Sequence, residues 1–425
     1  MSGLHNLFSH LPSFQEILWL FCLCSIPIFT LLPFSGYTIA STFIIDEWKI
    51  SNTQSGFVFS TYLIGYALSS LILVPLTDKL PTEKLMIFGI ITTILSNLLF
   101  ALIADGLWSA SALRFLMGIG HVATYIPGIR LVSSRFTGEH RGKAIGLFVG
   151  AAYAGTTLSY ILMGILLSYT DSWKTAYLII SLVSFLSIFL SLLLIYSSSS
   201  GHVHSKSTMR FTGYLDLSTL LDKSLVLAIL SYALHTAELY LARMWLPLLL
   251  GVVFIQKGLS PLDATSAAAA TSGVIFMMGI IGVFLGGAIS DYLGRTIAAA
   301  SIFTISGICS FALGWMIHAP IDLIIAIGFV YGFMTAADSA IHSTAIVELS
   351  PHGKIGSSQA LQSFIGFSIG SIAPILAGSL LDVSNAFWEW GLTFSFNGVL
   401  AVIGVSLLIW LRYTPKAKKM ANGKR

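Results

Sequence analysis

Five charged side chains interrupt long apolar runs of this sequence, and their types indicate the chemistry that those runs would support. They are Arg114, Arg130, Glu238, Arg243 and Asp338. Arginine side chains favour an anionic ligand, whereas a carboxylate inside a membrane-spanning helix is a frequent carrier of protons. Each charge would cost several kcal/mol if it faced lipid, so each is expected to face a water-filled cavity or a partner.

Polar and aromatic residues at helical spacing accompany these charges. Arg114 shares a helix face with His121 and Tyr125, and Asp338 shares one with His342. The predicted substrate-binding residues are Arg114, His121, Tyr125, Tyr37, Arg243, Tyr240 and Trp245, and the predicted proton-coupling residues are Glu238, Asp338, His342 and His235. Each has a structural alternative, since an arginine can brace two helices, a buried carboxylate can stay neutral, and a histidine or an aromatic side chain can simply pack.

A third group, His235, Glu238 and Trp245, is also expected to share one helix face. Arg243 lies roughly 140° around the same helix from Glu238, so the spacing predicts no direct bond between these two side chains. Arg130 lies close to a membrane boundary, where an arginine usually extends toward water or pairs with a neighbour.

The composition of the chain shows what must position these residues. Of 425 residues only 9% are charged while 56% are hydrophobic, and the mean hydropathy is +0.87. This excludes a soluble enzyme, a nucleic-acid-binding protein, a secreted disulfide scaffold and a disordered chain. The apolar runs are too long for the strands of an outer-membrane barrel. We find no motif of a membrane-embedded enzyme.

Twelve apolar runs of about 20 residues predict twelve membrane-spanning helices, which we number spans 1 to 12 in chain order. They cover residues 17–41, 53–77, 83–104, 109–131, 144–168, 174–197, 223–255, 264–289, 296–318, 321–347, 358–381 and 391–412. Span 7 is long enough to tilt or to break at Pro247. The fold class is therefore an all-α membrane protein.

The cysteines and the first residues of the sequence predict that several features are absent. Cys22, Cys24 and Cys309 fall inside apolar runs, which predicts neither a disulfide nor a metal cluster, and no cofactor is expected. The first sixteen residues contain no lysine or arginine, so no cleavable signal peptide is expected.

The basic residues outside the spans predict the orientation. Sixteen of them lie in segments on the same side as the N-terminus, and three, Lys49, Lys174 and Lys257, lie on the other side. Since positive charge is retained on the inner side, both termini are expected in the cytoplasm of an inner or plasma membrane protein. The basic C-terminal tail is expected to attract anionic lipid and needs no nucleic acid.

The chain repeats itself. A polar segment, residues 198–222, separates residues 1–197 from residues 223–425, so we predict two six-helix bundles joined by a cytoplasmic linker. Three pairs keep nearly the same separation: Asp78 with Asp291 (213 residues), Lys143 with Lys354 (211 residues) and Trp173 with Trp390 (217 residues). Such duplication predicts two pseudo-symmetric halves around a midplane site.

The loop after span 8 carries a recognisable motif. Gly287, Ile289, Asp291, Gly294 and Arg295 match the pattern G-x-L-x-D-R-x-G-R, so the sequence resembles the major facilitator superfamily of secondary transporters.

The first half keeps a degraded copy of this motif after span 2. Leu76, Asp78 and Lys79 match, while the glycines and the last arginine are replaced. Span 4 adds R-x-x-x-G-x-G from Arg114 to Gly120. The resemblance implies that the loop residues hold the cytoplasmic gate. The predicted gating residues are Asp78, Lys79, Arg130, Gly287, Asp291, Gly294 and Arg295. An ordinary cytoplasmic turn is the alternative interpretation.

The resemblance also implies that spans 1, 4, 7 and 10 line a central cavity, and all five intramembrane charges fall in spans 4, 7 and 10. We therefore predict a secondary transporter, expected to be monomeric, that moves a small anionic solute by alternating access with proton coupling. Its expected partners are that solute, protons and membrane lipid. The local sequence is weakly similar to cyanate, nitrate and oxalate/formate porters. The alternatives are proton-coupled efflux of a cationic or amphipathic compound, which the missing Gly-Pro pair of span 5 disfavours, and a non-transporting receptor or scaffold.

Overall fold

A computed structural model of the chain describes residues 14–77, 80–136, 138–199, 216–351, 354–383 and 388–425. In these ranges every regular element is a helix, and all twelve predicted spans are present. Among the described residues, nine spans are single helices: Asn52–Leu76 (span 2), Thr82–Ile103 (span 3), Leu107–Arg135 (span 4), Gly138–Thr170 (span 5), Lys223–Gln256 (span 7), Pro261–Leu293 (span 8), Arg295–Trp315 (span 9), Ile355–Val383 (span 11) and Glu389–Arg412 (span 12). The predicted all-α membrane fold is confirmed. Helices satisfy every backbone group within one segment, as lipid requires.

The other three spans are each built from two helices. Span 1 comprises Phe14–Leu31 and Gly36–Trp48, span 6 comprises Trp173–Val183 and Leu186–Ser199, and span 10 comprises Ile321–Ala337 and Ser339–Leu349. Span 1 breaks after Leu31, where the turn contains Pro33, and span 10 breaks at Asp338. In contrast, span 7 runs through Pro247 as one helix of 34 residues. Breaks in membrane helices expose backbone groups to ligands and side chains.

The two halves of the chain meet along two helix pairs, span 2 with span 11 and span 5 with span 8. At one end of the bundle the backbones approach so closely that a Cβ on Gly378 would lie 2.7 Å from the carbonyl carbon of Asn52. We call this the closed end. At the opposite end, where Phe14 and Arg412 lie, Gly150 and Gly287 face open space. Close backbone packing between the halves is therefore observed at the closed end.

The predicted linker, residues 198–222, is largely outside the described residues. Its described part continues span 6 to Ser199 and resumes with a short 3-10 helix, Leu217–Leu221. This part is tied to the second half, because Lys354 Nζ lies 2.7 Å from a carboxylate oxygen of Asp216.

Candidate functional site

Arg114 is buried in span 4, and no described carboxylate lies within ion-pair distance of its guanidinium. Its side chain has 1% of its surface exposed, and Nη1 donates to the backbone carbonyl of Phe34 at 3.3 Å. The rings of Tyr37, Phe59 and Tyr62 surround the guanidinium at 5.3 to 5.6 Å. Nε and Nη2 have no hydrogen-bond partner among the described residues. Phe34 lies in the break of span 1, which leaves its carbonyl free for this contact.

Arg243 of span 7 lies against the ring of Phe34, the residue whose backbone carbonyl accepts from Arg114. Its guanidinium carbon is 5.6 Å from the Phe34 ring, 5.4 Å from the Tyr153 ring and 5.5 Å from the Tyr240 ring. Among the described residues no side-chain hydrogen bond or ion pair involves this guanidinium. Two arginines from opposite halves thus contact Phe34, and the contacts of the Arg243 guanidinium within the described part of the chain are cation–π contacts.

His121 lies in an aromatic group that crosses between the halves. The Tyr62 hydroxyl forms a short hydrogen bond with His121 Nδ1, and the rings of Tyr66 and Tyr125 pack edge-on against the imidazole. Tyr66 in turn stacks on Phe367 of span 11, with ring centroids 3.9 Å apart. Such a lining offers both π-faces and hydroxyl groups to a ligand.

Asp338 forms a buried cluster with two histidines at the break of span 10. Its Oδ1 is 2.9 Å from His235 Nδ1, which is an ion-pair distance without good hydrogen-bond angles. Its Oδ2 is 3.3 Å from His342 Nε2. The second nitrogen of His235, Nε2, lies 2.8 Å from the hydroxyl of Ser339. Ser339 faces the first half, since its hydroxyl is 3.4 Å from that of Tyr153. We call His235, Asp338 and His342 the His–Asp–His cluster.

Glu238 and Trp245 do not face the same neighbours as His235, although all three share one stripe of span 7. Glu238 accepts a hydrogen bond from Ser306 of span 9 at 2.8 Å, and its second oxygen has no partner among the described residues. Trp245 donates to the backbone carbonyl of Pro374 in span 11 at 3.0 Å. The stripe is about 15 Å long at the usual rise per residue, so it passes spans 10, 9 and 11 in turn.

The predicted aromatic ligands divide into two groups. Tyr240 and Tyr125 lie beside Arg243 and His121 respectively. Tyr37 donates to the backbone carbonyl of Ser55 at 3.0 Å, deep in the core.

The motif residues after span 8 form an ion-pair network inside the second half. Arg295 lies 2.5 Å from Asp291 and 2.9 Å from Glu348 of span 10. Gly294 has a φ of +92°, and a Cβ there would be 2.6 Å from the backbone oxygen of Lys424, so glycine is required at this position. The C-terminal tail therefore lies directly on the motif.

The remaining predicted gating residues are less informative. Arg130 donates from Nη1 to the hydroxyl of Thr77 at 2.8 Å, which ties span 4 to the end of span 2. Gly287 faces open space. Asp78 and Lys79 lie outside the described residues.

At the closed end, Asp382 joins the halves through a contact that sequence reasoning did not identify. The carboxylate at the end of span 11 accepts hydrogen bonds from the backbone N–H of Asn52 at 2.8 Å, and from the N–H and the hydroxyl of Thr53 at 2.8 and 2.6 Å. It thereby caps the N-terminus of span 2. Sequence reasoning also missed Tyr153 and Ser339. Uncharged residues, and residues at the ends of spans, give no periodic signal.

Comparison with known proteins agrees with this architecture. The model of the Major Facilitator Superfamily matches residues 21–333 and 280–425. The chain is 22% identical over 375 residues to a hexuronate transporter of Bacillus subtilis, covering 83% of this chain and 85% of the relative. It is 23% identical over 407 residues to a probable galactarate/D-glucarate transporter of Escherichia coli K12, covering 88% and 86%.

Among solved structures, a bacterial homologue of the human lysosomal transporter Spinster, in an inward-facing and occupied conformation, superposes with a TM-score of 0.73. The superposition covers 95% of this chain and 98% of that one at 14% identity, so it compares the fold only. With the family model matched along almost the whole chain, this protein belongs to the major facilitator superfamily and is a membrane transporter, not an enzyme.

Proposed function

We propose that this transporter moves a small carboxylate-bearing solute, of the sugar-acid class, across the inner or plasma membrane, as a monomer that couples transport to protons. The observation that carries the proposal is that Arg114 and Arg243 both contact Phe34 and have no counter-ion among the described residues. An uncompensated charge in a low-dielectric site is costly, and a bound carboxylate would remove that cost. A cationic substrate would increase it.

The choice of sugar acids rests on two further observations. The relatives named above are transporters of hexuronate and of galactarate or D-glucarate, which combine carboxylates with several hydroxyl groups. The lining supplies matching groups, because the hydroxyls and rings of tyrosines surround both arginines. A planar guanidinium binds a carboxylate through two parallel hydrogen bonds, while aromatic rings pack against a sugar's C–H face.

Alternating access follows from the asymmetry of the packing. With the basic residues and both termini in the cytoplasm, the closed end is the outer end and the conformation is inward-facing. Transport then requires the halves to separate at the closed end and to meet at the end where Gly150 and Gly287 face open space. The outer contact of Asp382 would break in that step, and the motif residues around Arg295 would meet the first half.

For proton coupling, the His–Asp–His cluster has the suitable groups. Asp338 lies between two imidazoles in a site that is at most 2% exposed, and histidine changes its charge in the pH range of cells. Glu238 is a weaker choice, because among the described residues it has no cationic neighbour within ion-pair distance and bonds only to Ser306.

The test is uptake of D-glucuronate and D-glucarate into proteoliposomes that contain the full chain. Arg243→Gln should raise the concentration for half-maximal uptake by roughly tenfold to a hundredfold, because that is the loss in affinity expected when a hydrogen bond between charged groups is removed. Lys174→Gln is the matched control, because it removes one positive charge from an exposed ion pair with Glu47. The proposal fails if neither acid is transported, or if Arg243→Gln transports both as well as the control.

A further inference from the structure

A chain of polar contacts runs from the anion site to the His–Asp–His cluster and crosses between the halves once. The Tyr153 ring lies 5.4 Å from the Arg243 guanidinium carbon. The Tyr153 hydroxyl is 3.4 Å from that of Ser339, which is 2.8 Å from His235 Nε2. His235 Nδ1 is 2.9 Å from Asp338. Tyr153 belongs to span 5 of the first half, and the other residues belong to the second half.

Chemistry sets the direction of the hydrogen bonds in this chain. The Asp338 carboxylate is negative and lies 2.9 Å from His235 Nδ1, so its charge favours the tautomer that carries a hydrogen on Nδ1 over one that turns a lone pair toward the carboxylate. In neutral His235 the other nitrogen, Nε2, is therefore an acceptor, and the Ser339 hydroxyl donates to it. The Ser339 oxygen is then free to accept from the Tyr153 hydroxyl. In this state the Tyr153 hydrogen points to Ser339, and the phenol oxygen offers only lone pairs to a ligand.

One proton taken up from water reverses the order. The proton bonds to His235 Nε2, which now donates to the Ser339 oxygen. The Ser339 hydroxyl then points to the Tyr153 oxygen, and the Tyr153 hydrogen is released from Ser339 for another acceptor. The new N–H bond forms as an O–H bond of a hydronium ion breaks, and no other covalent bond changes. The phenol thus changes from an acceptor to a donor at the place where a carboxylate would bind.

We propose that Tyr153 and Ser339 form a hydrogen-bond relay through which protonation of His235 raises the affinity of the Arg243 site for an anion. This inference rests on the proposed function and assigns roles to two residues for coupling rather than for binding alone. It also gives the sign of coupling, since the proton and the anion favour each other's binding. That sign corresponds to symport.

The surroundings of His235 support the same sign. The titratable groups that face it are Asp338 and His342 of span 10, the latter with its ring centroid at 5.5 Å, and Tyr232 of its own span at 6.1 Å. With neutral histidines and an ionised Asp338, the cluster carries a net negative charge near the anion site. A proton on His235 removes this charge, so the electrostatic effect and the relay act together.

The experiment measures D-glucuronate binding to the purified full chain at about pH 5.5 and about pH 8, on either side of the usual titration of histidine. The wild-type chain should bind roughly tenfold more tightly at the lower pH, because one charge-assisted hydrogen bond contributes about that much affinity. Tyr153→Phe should bind with the same affinity at both pH values, because it loses the gain at low pH. Ser339→Ala should behave in the same way, whereas Ser339→Thr, which keeps the hydroxyl, should retain the gain.

Tyr125→Phe is the matched control, because it removes a phenol from the same cavity but not from the relay. It should keep the wild-type ratio of the two affinities. The relay is refuted if Tyr153→Phe or Ser339→Ala keeps this ratio, or if the wild-type chain binds equally well at both pH values. These outcomes leave the anion site standing. A failure of the wild-type chain to bind either sugar acid at any pH would instead refute the proposed function.

Discussion

Replacing Asp382 by asparagine should open the closed end of the molecule. The carboxylate accepts three hydrogen bonds of 2.6 to 2.8 Å from Asn52 and Thr53, so it joins span 11 of one half to the first turn of span 2 of the other. Asparagine keeps one acceptor oxygen but loses the charge and the second acceptor. The conformation in which the halves separate at this end loses nothing by the change, since the contact is already broken there.

The size of the effect follows from the exposure of the site. Asp382 is solvent-exposed, so the interaction of its charge with the N-terminus of span 2 contributes about 0.3 to 1 kcal/mol. The lost hydrogen bond adds a similar amount, much of which water replaces. A total of about 1 kcal/mol corresponds to a roughly fivefold shift of the equilibrium toward the conformation that is open at this end.

The assay is a distance measurement between spin labels at the closed end. Gln54→Cys and Lys257→Cys place labels at exposed positions of opposite halves, after the three native cysteines have been replaced. Asp382→Asn should increase the long-distance population about fivefold. Asp263→Asn is the matched control, because Asp263 bonds only within its own span, to Ser260. An unchanged distance distribution in Asp382→Asn would refute the reasoning.

Two further predictions separate the remaining ionisable groups. Glu238→Gln keeps the acceptor for Ser306, so its free energy of unfolding in detergent should change by less than about 1 kcal/mol and proton-driven uptake should persist. Uptake that loses its proton dependence while exchange continues would assign the proton to Glu238 instead of the His–Asp–His cluster. A hydrogen bond from Lys354 lowers the pKa of Asp216 to about 2, below the ordinary value of 3.8. Because the folded-state pKa is the lower one, the pair stabilises fully above the ordinary value and weakens as pH falls toward 2. Asp216→Asn should therefore lower the unfolding temperature equally at about pH 5.5 and about pH 8, and a loss confined to one pH would contradict this.

Hydropathy predicted the spans because a membrane helix is defined by a property of each segment alone. The same reasoning could not predict that span 1 breaks after Leu31 or that span 10 breaks at Asp338, while span 7 continues through Pro247. Whether a helix tolerates an irregular turn depends on what its neighbours offer to the freed backbone groups. In span 1 that neighbour is Arg114, which lies 80 residues away in the sequence.

The candidate site was likewise predictable in part: its charged residues were, and their contacts were not. Charged residues in apolar runs could be identified from the sequence, because burying a charge in a membrane span costs free energy and therefore indicates a role. Their partners were not visible, since His235 and Glu238 lie one turn apart on span 7 yet contact different spans. Tyr153 and Ser339, 186 residues apart, meet only because the two halves pack together. Contacts of this kind depend on the arrangement of the halves, which no local pattern encodes.

The two arginines, which have no counter-ion in the described ranges, and the close packing at the closed end have a common physical consequence. Breaking a buried ion pair usually costs several kcal/mol, so a chain that keeps Arg114 and Arg243 without carboxylates has a site that is stable only while water or an anion reaches it. Closure at both ends would remove the water. An empty transporter would then hold two uncompensated charges in a dry cavity, whereas a loaded one would not. If the proposed function is correct, this difference in free energy favours passage through the doubly closed state with solute bound, and so it opposes futile cycling of the empty protein.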